Sequence, residues 1–234
     1  MNFIVNIIEP NRLIVTWQPH KSITCNRIRR SVGIIEKCDG EYLFRYSYDS
    51  IDFKHARDEG MELFRPFSSP EKIYDKNVIE FFSARLPPRN RNDFNRYLES
   101  IRIKSGVKIS NFALLGYSEG RLPSDGYAFL HPFDDATPNF EVLLEVSGHR
   151  FYENRSFLNI GDDLDLKPDK DNIYDSNALA FFKNNTIVGY VNRFLTSAVY
   201  KWLYLYNIKI NVEKVSKFSE INRIYAFIKV SNKP

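Results

Sequence analysis

The 234 residues include 43% hydrophobic and 26% charged residues, which excludes a disordered chain and supplies enough apolar material for a core. This length accommodates one large domain or two small ones. The formal net charge of +4 permits a nucleic-acid partner without requiring one. No stretch approaches 18 consecutive apolar residues, so we expect no segment that spans a membrane.

Cysteine and histidine usage argues against a metal centre. Cys25 and Cys38 are isolated, and the four histidines are scattered along the chain. No Cys-x-x-Cys pair or Cys/His cluster is present, so we expect no metal and no cofactor. Two lone thiols without an N-terminal signal pattern predict a cytoplasmic protein.

Alternating and β-branched segments near the N-terminus predict a β-meander. Its strands are expected at 12–17, 30–35 and 41–46. Helical periodicity begins at Asp75, the expected N-cap of a helix over 75–84. A second helix is expected from about Asn92, and Ser110 is expected to cap a third. Residues 127–130 are typical of a closing strand.

A polar stretch with two prolines at 131–139 marks the expected domain boundary. We predict a first domain at 1–132, a linker at 133–139 and a second domain at 140–234. In the second domain, strands are expected at 140–146, 164–166, 178–182, 186–191, 208–215 and 223–230, with a helix at 195–206. The predicted class is therefore α+β, repeated in two successive domains.

Charge separates within the second predicted domain. Six Asp residues lie between Asp162 and Asp175 beside two Lys, whereas eight Lys and Arg from Arg193 onward accompany two Glu. A basic surface on this last part could follow a phosphate backbone. The alternative is a solvated helix and strand face, and charge alone favours that alternative.

Three short strings follow one another in this domain: Val146-Ser-Gly-His-Arg-Phe-Tyr152, Asn172-Ile-Tyr-Asp-Ser-Asn-Ala178 and Ile187-Val-Gly-Tyr-Val-Asn-Arg193. In this order and at this spacing they resemble the HIRAN domain. That family has a Gly before an Arg-aromatic-aromatic run, an Asn-x-Tyr-Asp-x-Asn-Ala loop, and a hairpin ending in Val/Ile-Gly-aromatic or Val/Ile-Gly-His. The resemblance covers about residues 140–231 and implies a small OB/SH3-like β-barrel with a helix that binds DNA.

In helicase-linked relatives the domain holds the last nucleotides of a 3′ single-stranded end. The resemblance therefore implies a DNA-binding site formed by Arg150, Phe151, Tyr152, Asn172, Tyr174, Asp175, Asn177 and Tyr190. Arg150 suits a bidentate phosphate contact, and Phe151 and Tyr152 suit stacking on unpaired bases. If the segment is a strand, one of these two rings points inward. Phe151 also stands where relatives commonly have Tyr, so one hydroxyl contact to phosphate is lost.

The second string suits recognition of the terminal nucleotide. Asp175 can accept a hydrogen bond from a 3′-hydroxyl and would repel a 3′-phosphate; the alternative is that it only caps its turn. Tyr174 can stack on or bond the same nucleotide. Asn172 and Asn177 are expected to shape the loop through side-chain to backbone bonds. Tyr190 occupies the hairpin position where the family often has His or an aromatic.

The first predicted domain carries a second resemblance. Phe81-Phe-Ser-Ala-Arg-Leu-Pro87, Phe112-Ala-Leu-Leu-Gly-Tyr-Ser-Glu-Gly120 and Gly126-Tyr-Ala-Phe129 resemble the N-terminal subdomain of HipA-type toxin kinases over about residues 10–132. The resemblance implies a β-meander plus helices. It also implies a HipA-like kinase as partner, since in split systems this subdomain docks onto a kinase. A docking surface or a phosphate-binding strip is expected at Arg85, Arg89, Arg91 and Arg96; the alternative is a solvated helix face.

Catalytic motifs are missing from the sequence. No Walker-type or kinase Gly-rich loop, HRD-type or DFG-type string, nuclease carboxylate cluster or supported nucleophile–base pair is found. We therefore predict a non-catalytic DNA-binding protein that recognises single-stranded 3′ ends, with the first domain as a partner-binding or DNA-contacting scaffold. The alternatives are an antitoxin or accessory subunit of a split HipA-like kinase toxin or phage-defence system, and an unrecognised enzyme.

Overall fold

The computed structural model describes residues 1–19, 28–152, 158–218 and 221–233. The strands are β1 (Arg12–Trp17), β2 (Arg30–Cys38), β3 (Glu41–Tyr46), β4 (Ile73–Tyr74), β5 (Tyr127–Leu130), β6 (Phe140–Glu145), β7 (Asp165–Pro168), β8 (Leu179–Lys183), β9 (Thr186–Tyr190), β10 (Asn207–Phe218) and β11 (Ile221–Ser231). The α-helices are α1 (Ile51–Asp58), α2 (Val78–Ser83), α3 (Phe94–Ser100), α4 (Asn111–Ser118) and α5 (Thr196–Leu205), and 3₁₀ turns lie at Arg65–Phe67 and His149–Phe151. The predicted α+β class is confirmed, and the described sheets are antiparallel.

The predicted meander forms the centre of a five-stranded sheet with the order β4-β3-β2-β1-β5. Asp39 and Gly40 lie between β2 and β3 with φ angles of 50° and 89°. Positive φ at both positions is what a tight two-residue hairpin requires, so Asp39 and Gly40 form the turn of this hairpin. Phe44 of β3 packs edge-on against Phe82 of α2, with ring centroids 5.2 Å apart.

Two local features of this part differ from the sequence prediction. The N-cap of α2 is Asn77, with a left-handed φ of 54°, rather than Asp75. A left-handed residue stops the helix from extending backwards, so the helix is shorter than predicted. The sequence pattern does not predict α1, because that helix buries only Phe53 and Ala56 and shows too short an apolar stripe.

The described residues form two compact units. One contains residues 9–94 and 108–132, and the other contains residues 1–8, 95–107 and 133–234. The short segments 1–8 and 95–107 therefore pack in the same unit as the predicted second domain, although they precede the predicted linker.

Buried carboxylates connect these short segments to the rest of their unit. Glu213 is 2% exposed, and its Oε1 accepts a hydrogen bond from Arg102 Nε at 2.7 Å. Its Oε2 also accepts from Asn2 Nδ2 at 2.8 Å. Glu141 is likewise buried and accepts from the main-chain N–H groups of Val5 and Asn6. Each carboxylate thus has the donors that a buried charge needs.

The same unit contains two three-stranded sheets, with the orders β10-β11-β6 and β7-β8-β9. Single bridges link them at Ser147–Tyr190 and at Asp163–Asn211. The continuous ladders of the described strands thus form two sheets, and the closed OB/SH3-like barrel is not confirmed. Trp202 of α5 packs edge-on against Phe140 of β6, with ring centroids 5.0 Å apart.

The first of these bridges depends on a glycine. Ser147 and Tyr190 exchange two main-chain hydrogen bonds of 2.8 Å each. At Gly189, a Cβ would lie 2.5 Å from Val146 Cγ1 and 2.8 Å from the Ser147 carbonyl oxygen, and φ is +148°. Both distances are too short for real atoms, so only glycine permits this close approach of the two chains.

We expect Glu213→Ala to lower the free energy of unfolding by about 3–5 kcal/mol, because it leaves the buried Arg102 guanidinium unpaired. Chemical denaturation of the full chain measures this loss. Asp93→Ala is the control, since it breaks an Arg91–Asp93 pair that is half exposed on both sides. Equal losses in the two variants would show that the Arg102–Glu213 pair has no special structural role.

We expect Gly189→Ala to destabilise the protein by about 1–3 kcal/mol or more, because the added methyl overpacks against Val146 and Ser147. Gly161→Ala is the matched control. Its φ of +94° would also be strained for alanine, but a methyl group added there would have no atom within 4 Å. Thermal unfolding of both variants therefore separates the steric cost from the backbone cost, and similar melting temperatures would contradict the steric argument.

Candidate functional site

The first of the three strings ends in a 3₁₀ turn rather than a strand. Gly148 begins the turn with a left-handed φ of 72°. His149 points inward and is buried, and its Nδ1 lies 2.7 Å from the Val188 carbonyl oxygen. Because a carbonyl only accepts, Nδ1 carries the proton in this contact. The buried imidazole therefore fastens the turn to β9.

The two residues after His149 are exposed. Phe151 is 70% exposed, and the Arg150 guanidinium carbon lies 4.6 Å from the centroid of its ring. Tyr152 is half-buried and turns towards β9. Because the segment is a 3₁₀ turn, the strand alternation on which the expectation of one inward ring rested does not apply.

Tyr190 connects this turn to the second string. Its hydroxyl donates to Asp169 Oδ2 at 2.8 Å and lies 3.0 Å from the Tyr152 hydroxyl oxygen. A phenol has one proton, so Tyr152 is the donor in the contact between the two hydroxyls. Burial raises the pKa of Tyr190 above its ordinary value, and the hydrogen bonds with Tyr152 and Asp169 raise it further. The hydroxyl is therefore a donor throughout the physiological pH range.

The loop between β7 and β8 is shaped by side-chain acceptors. Asn172 Nδ2 donates to Asp169 Oδ2 at 3.2 Å, and Asn172 Oδ1 accepts from the main-chain N–H groups of Tyr174 and Asp175 at 3.0 Å each. Asp175 Oδ1 accepts from the main-chain N–H of Asn177 at 2.9 Å. Asn172 and Asp175 thus both serve the local turn, as Asx side chains commonly do.

This loop presents large apolar surface to solvent. Tyr174 is 91% exposed and the neighbouring Ile173 is 86% exposed. A loop that holds two such side chains away from the core is typical of a contact surface.

The structure therefore joins the three strings through hydrogen bonds. Tyr152 of the first, Asn172 of the second and Tyr190 of the third are connected through Asp169. The remaining predicted site residues lie on the same turn or loop: Arg150, Phe151, Tyr174, Asp175 and Asn177. Asp169 is absent from the sequence-based set, because one Asp among six in that stretch carries no distinguishing pattern.

Three of the four arginines in the predicted cluster are engaged in local contacts. The Arg85 side chain is 8% exposed and forms a bidentate pair with Asp125 at 2.6 and 2.9 Å, which leaves it poorly placed to hold a phosphate. Arg89 donates to Asn111 and to the main chain. The two others are exposed: Arg91 pairs with Asp93, and Arg96 belongs to the other compact unit.

Two other kinds of site are absent from the described ranges. Among those residues, no group of three or more His, Cys, Asp or Glu side chains is placed to hold a metal ion. No helix in the same ranges is long and apolar enough to cross a membrane. Cys38 is exposed with a free thiol, whereas Cys25 lies outside the described residues.

Comparison with known proteins identifies the C-terminal segment. The HIRAN domain family matches residues 139–232. The crystal structure of the HIRAN domain of human HLTF is similar, with 22% identity over 40% of this chain and 76% of that chain and a TM-score of 0.33. No curated protein matches the chain. The family match does not extend to residues 1–138, and the comparisons do not support the resemblance of that part to HipA-type kinases. Residues 139–232 therefore match the HIRAN domain family.

Proposed function

We propose that this chain is a non-catalytic nucleic-acid-binding protein, and that its HIRAN domain takes the 3′ end of single-stranded DNA as ligand. The observation that carries the proposal is the hydrogen-bonded connection between the turn at 148–152 and the loop at 169–178. Both segments present exposed aromatic rings, and the turn adds an exposed guanidinium. DNA binding is a role known for HIRAN domains.

The aromatic side chains favour an unpaired strand. Phe151 and Tyr174 are both largely exposed; the Tyr174 ring is open to stacking partners, whereas the Arg150 guanidinium lies over one face of the Phe151 ring. Bases in a duplex are already stacked, whereas bases in a single strand can pack on protein rings at about 1–3 kcal/mol each. Arg150, held over the Phe151 ring, can place its forked donors on a nearby phosphate.

Asp175 is the residue that would distinguish a 3′-hydroxyl from a 3′-phosphate at the end of a DNA strand. One of its carboxylate oxygens accepts the Asn177 N–H, but a carboxylate has about four acceptor sites. The group can therefore cap its turn and still accept a hydrogen bond from a terminal 3′-hydroxyl. Its negative charge would repel a 3′-phosphate, since two anions at close range are unfavourable.

The alternative is an accessory subunit of a split HipA-like kinase system. In that case the protein would need a docking surface, and Arg85, Arg89 and Arg91 already have partners within their own unit. We therefore consider this alternative only if the protein does not bind nucleic acid.

We expect Tyr174→Ala to weaken binding of a short single-stranded DNA by about 5- to 150-fold, which corresponds to one lost stacking contact. Fluorescence anisotropy with a 5′-labelled oligonucleotide at a fixed salt concentration measures the affinity. Tyr204→Ala is the control, because Tyr204 is also highly exposed but lies on α5. Equal affinities of wild type and Tyr174→Ala would exclude a stacking role for this loop.

We expect the wild-type protein to prefer a free 3′-hydroxyl over a 3′-phosphate and over a blunt duplex. Asp175→Asn should reduce the preference over the phosphate, because the amide keeps a hydrogen-bonding group but lacks the repelling charge. The same anisotropy assay with three matched oligonucleotides tests this. A wild-type protein that binds all three ends equally would contradict end recognition, and one that binds none would point to the accessory-subunit alternative.

A further inference from the structure

We propose that Asp169 is a positioning residue that sets the loop carrying Tyr174 against β9, and so determines where the terminal nucleotide is held. This inference rests on the proposed function for its ligand, but its structural part can be tested without any ligand.

The Asp169 carboxylate receives donors from two different elements through a single oxygen. Tyr190, in β9, donates to Oδ2 at 2.8 Å, and Asn172, in the loop, donates to the same atom at 3.2 Å. An ionised acceptor strengthens both bonds relative to neutral pairs. Asp169 therefore joins a strand to a loop.

On the strand side of this junction, Tyr190 is held in place by main-chain hydrogen bonds. Tyr190 is bound on both main-chain groups by Ser147, and Gly189 allows the chains to approach closely. The Tyr190 hydroxyl also accepts from Tyr152. Its position is thus determined by the fold, independently of the loop.

The loop side of the junction passes through a planar group. The side-chain amide of Asn172 is planar, so fixing its Nδ2 on Asp169 also fixes the direction of its Oδ1. That oxygen accepts from the N–H groups of Tyr174 and Asp175. The orientation of Asp169 is therefore passed on to the two residues that the proposed function assigns to base stacking and end recognition.

Asp171 provides a control that separates the positioning role of Asp169 from the effect of its charge. Asp171 lies in the same loop, carries the same charge and is exposed. Among the described residues, its side chain has no hydrogen bond or ion pair. Asp169→Ala and Asp171→Ala hence remove equal charge from the same loop, but only the first removes the junction.

The first experiment uses the full chain without DNA. Amide hydrogen exchange, measured by NMR, should speed up at least about tenfold at Tyr174 and Asp175 in Asp169→Ala, because their acceptor is no longer held in place. Asp171→Ala should leave both rates unchanged. Equal exchange in the two variants would overturn the proposal.

Tyr190→Phe provides a second variant that keeps the carboxylate; it removes the donor to Asp169 Oδ2 together with the acceptor of the Tyr152 hydroxyl. We expect it to speed the same two amides in the same direction, whereas Tyr204→Phe should not. In the double variant Asp169→Ala/Tyr190→Phe, exchange should match that of Asp169→Ala alone, since both changes break one connection. Additive effects would contradict a single connection.

The second experiment adds single-stranded DNA. Loss of one negative charge by itself should strengthen binding slightly and equally in both Asp variants. We expect Asp169→Ala instead to bind at least about fivefold more weakly than Asp171→Ala, and equal affinities would overturn the proposal. If the exchange result holds but neither the wild type nor any variant binds DNA, the positioning role stands and the proposed function fails.

Discussion

The close approach of the segment after β6 to β9 is the constraint on which the candidate site depends. A side chain at Gly189 would collide with Val146 and Ser147, so this approach requires a glycine. This approach pairs the main chains of Ser147 and Tyr190. It also brings His149 to the Val188 carbonyl and the Tyr190 hydroxyl to Asp169.

Hydrogen bonds between polar side chains, rather than apolar contacts, connect this packed region to the exposed loop. From Tyr152 the hydrogen bonds run through Tyr190 and Asp169 to Asn172, and each group meets a partner of the opposite kind. Such a chain has few alternative arrangements, because every proton has an assigned acceptor. These hydrogen bonds can keep the Tyr174 side chain exposed to solvent without a hydrophobic contact. A ring that stacks on a base needs this exposure.

Much of this could be predicted from the sequence, where local chemistry determines local structure. The β8–β9 hairpin follows from Asn184 and Asn185, both of which adopt positive φ. The loop role of Asn172 follows from its side chain. By contrast, Asp169 and Glu213 look like ordinary surface charges in the sequence. Asp169 is one of several similar Asp residues in its stretch, and the partners of Glu213 are distant along the chain.

The Asn2–Glu213 contact has a consequence for the order of folding. Its two partners are 211 residues apart, and the Arg102–Glu213 pair spans a further 111-residue separation. During synthesis at about 5–20 residues per second, the N-terminal segment would wait roughly ten seconds or more before Glu213 emerges. Residues 9–94 and 108–132 are all made well before that moment. The contacts of Asn2 and Arg102 with Glu213 can therefore form only after most of the chain has been made.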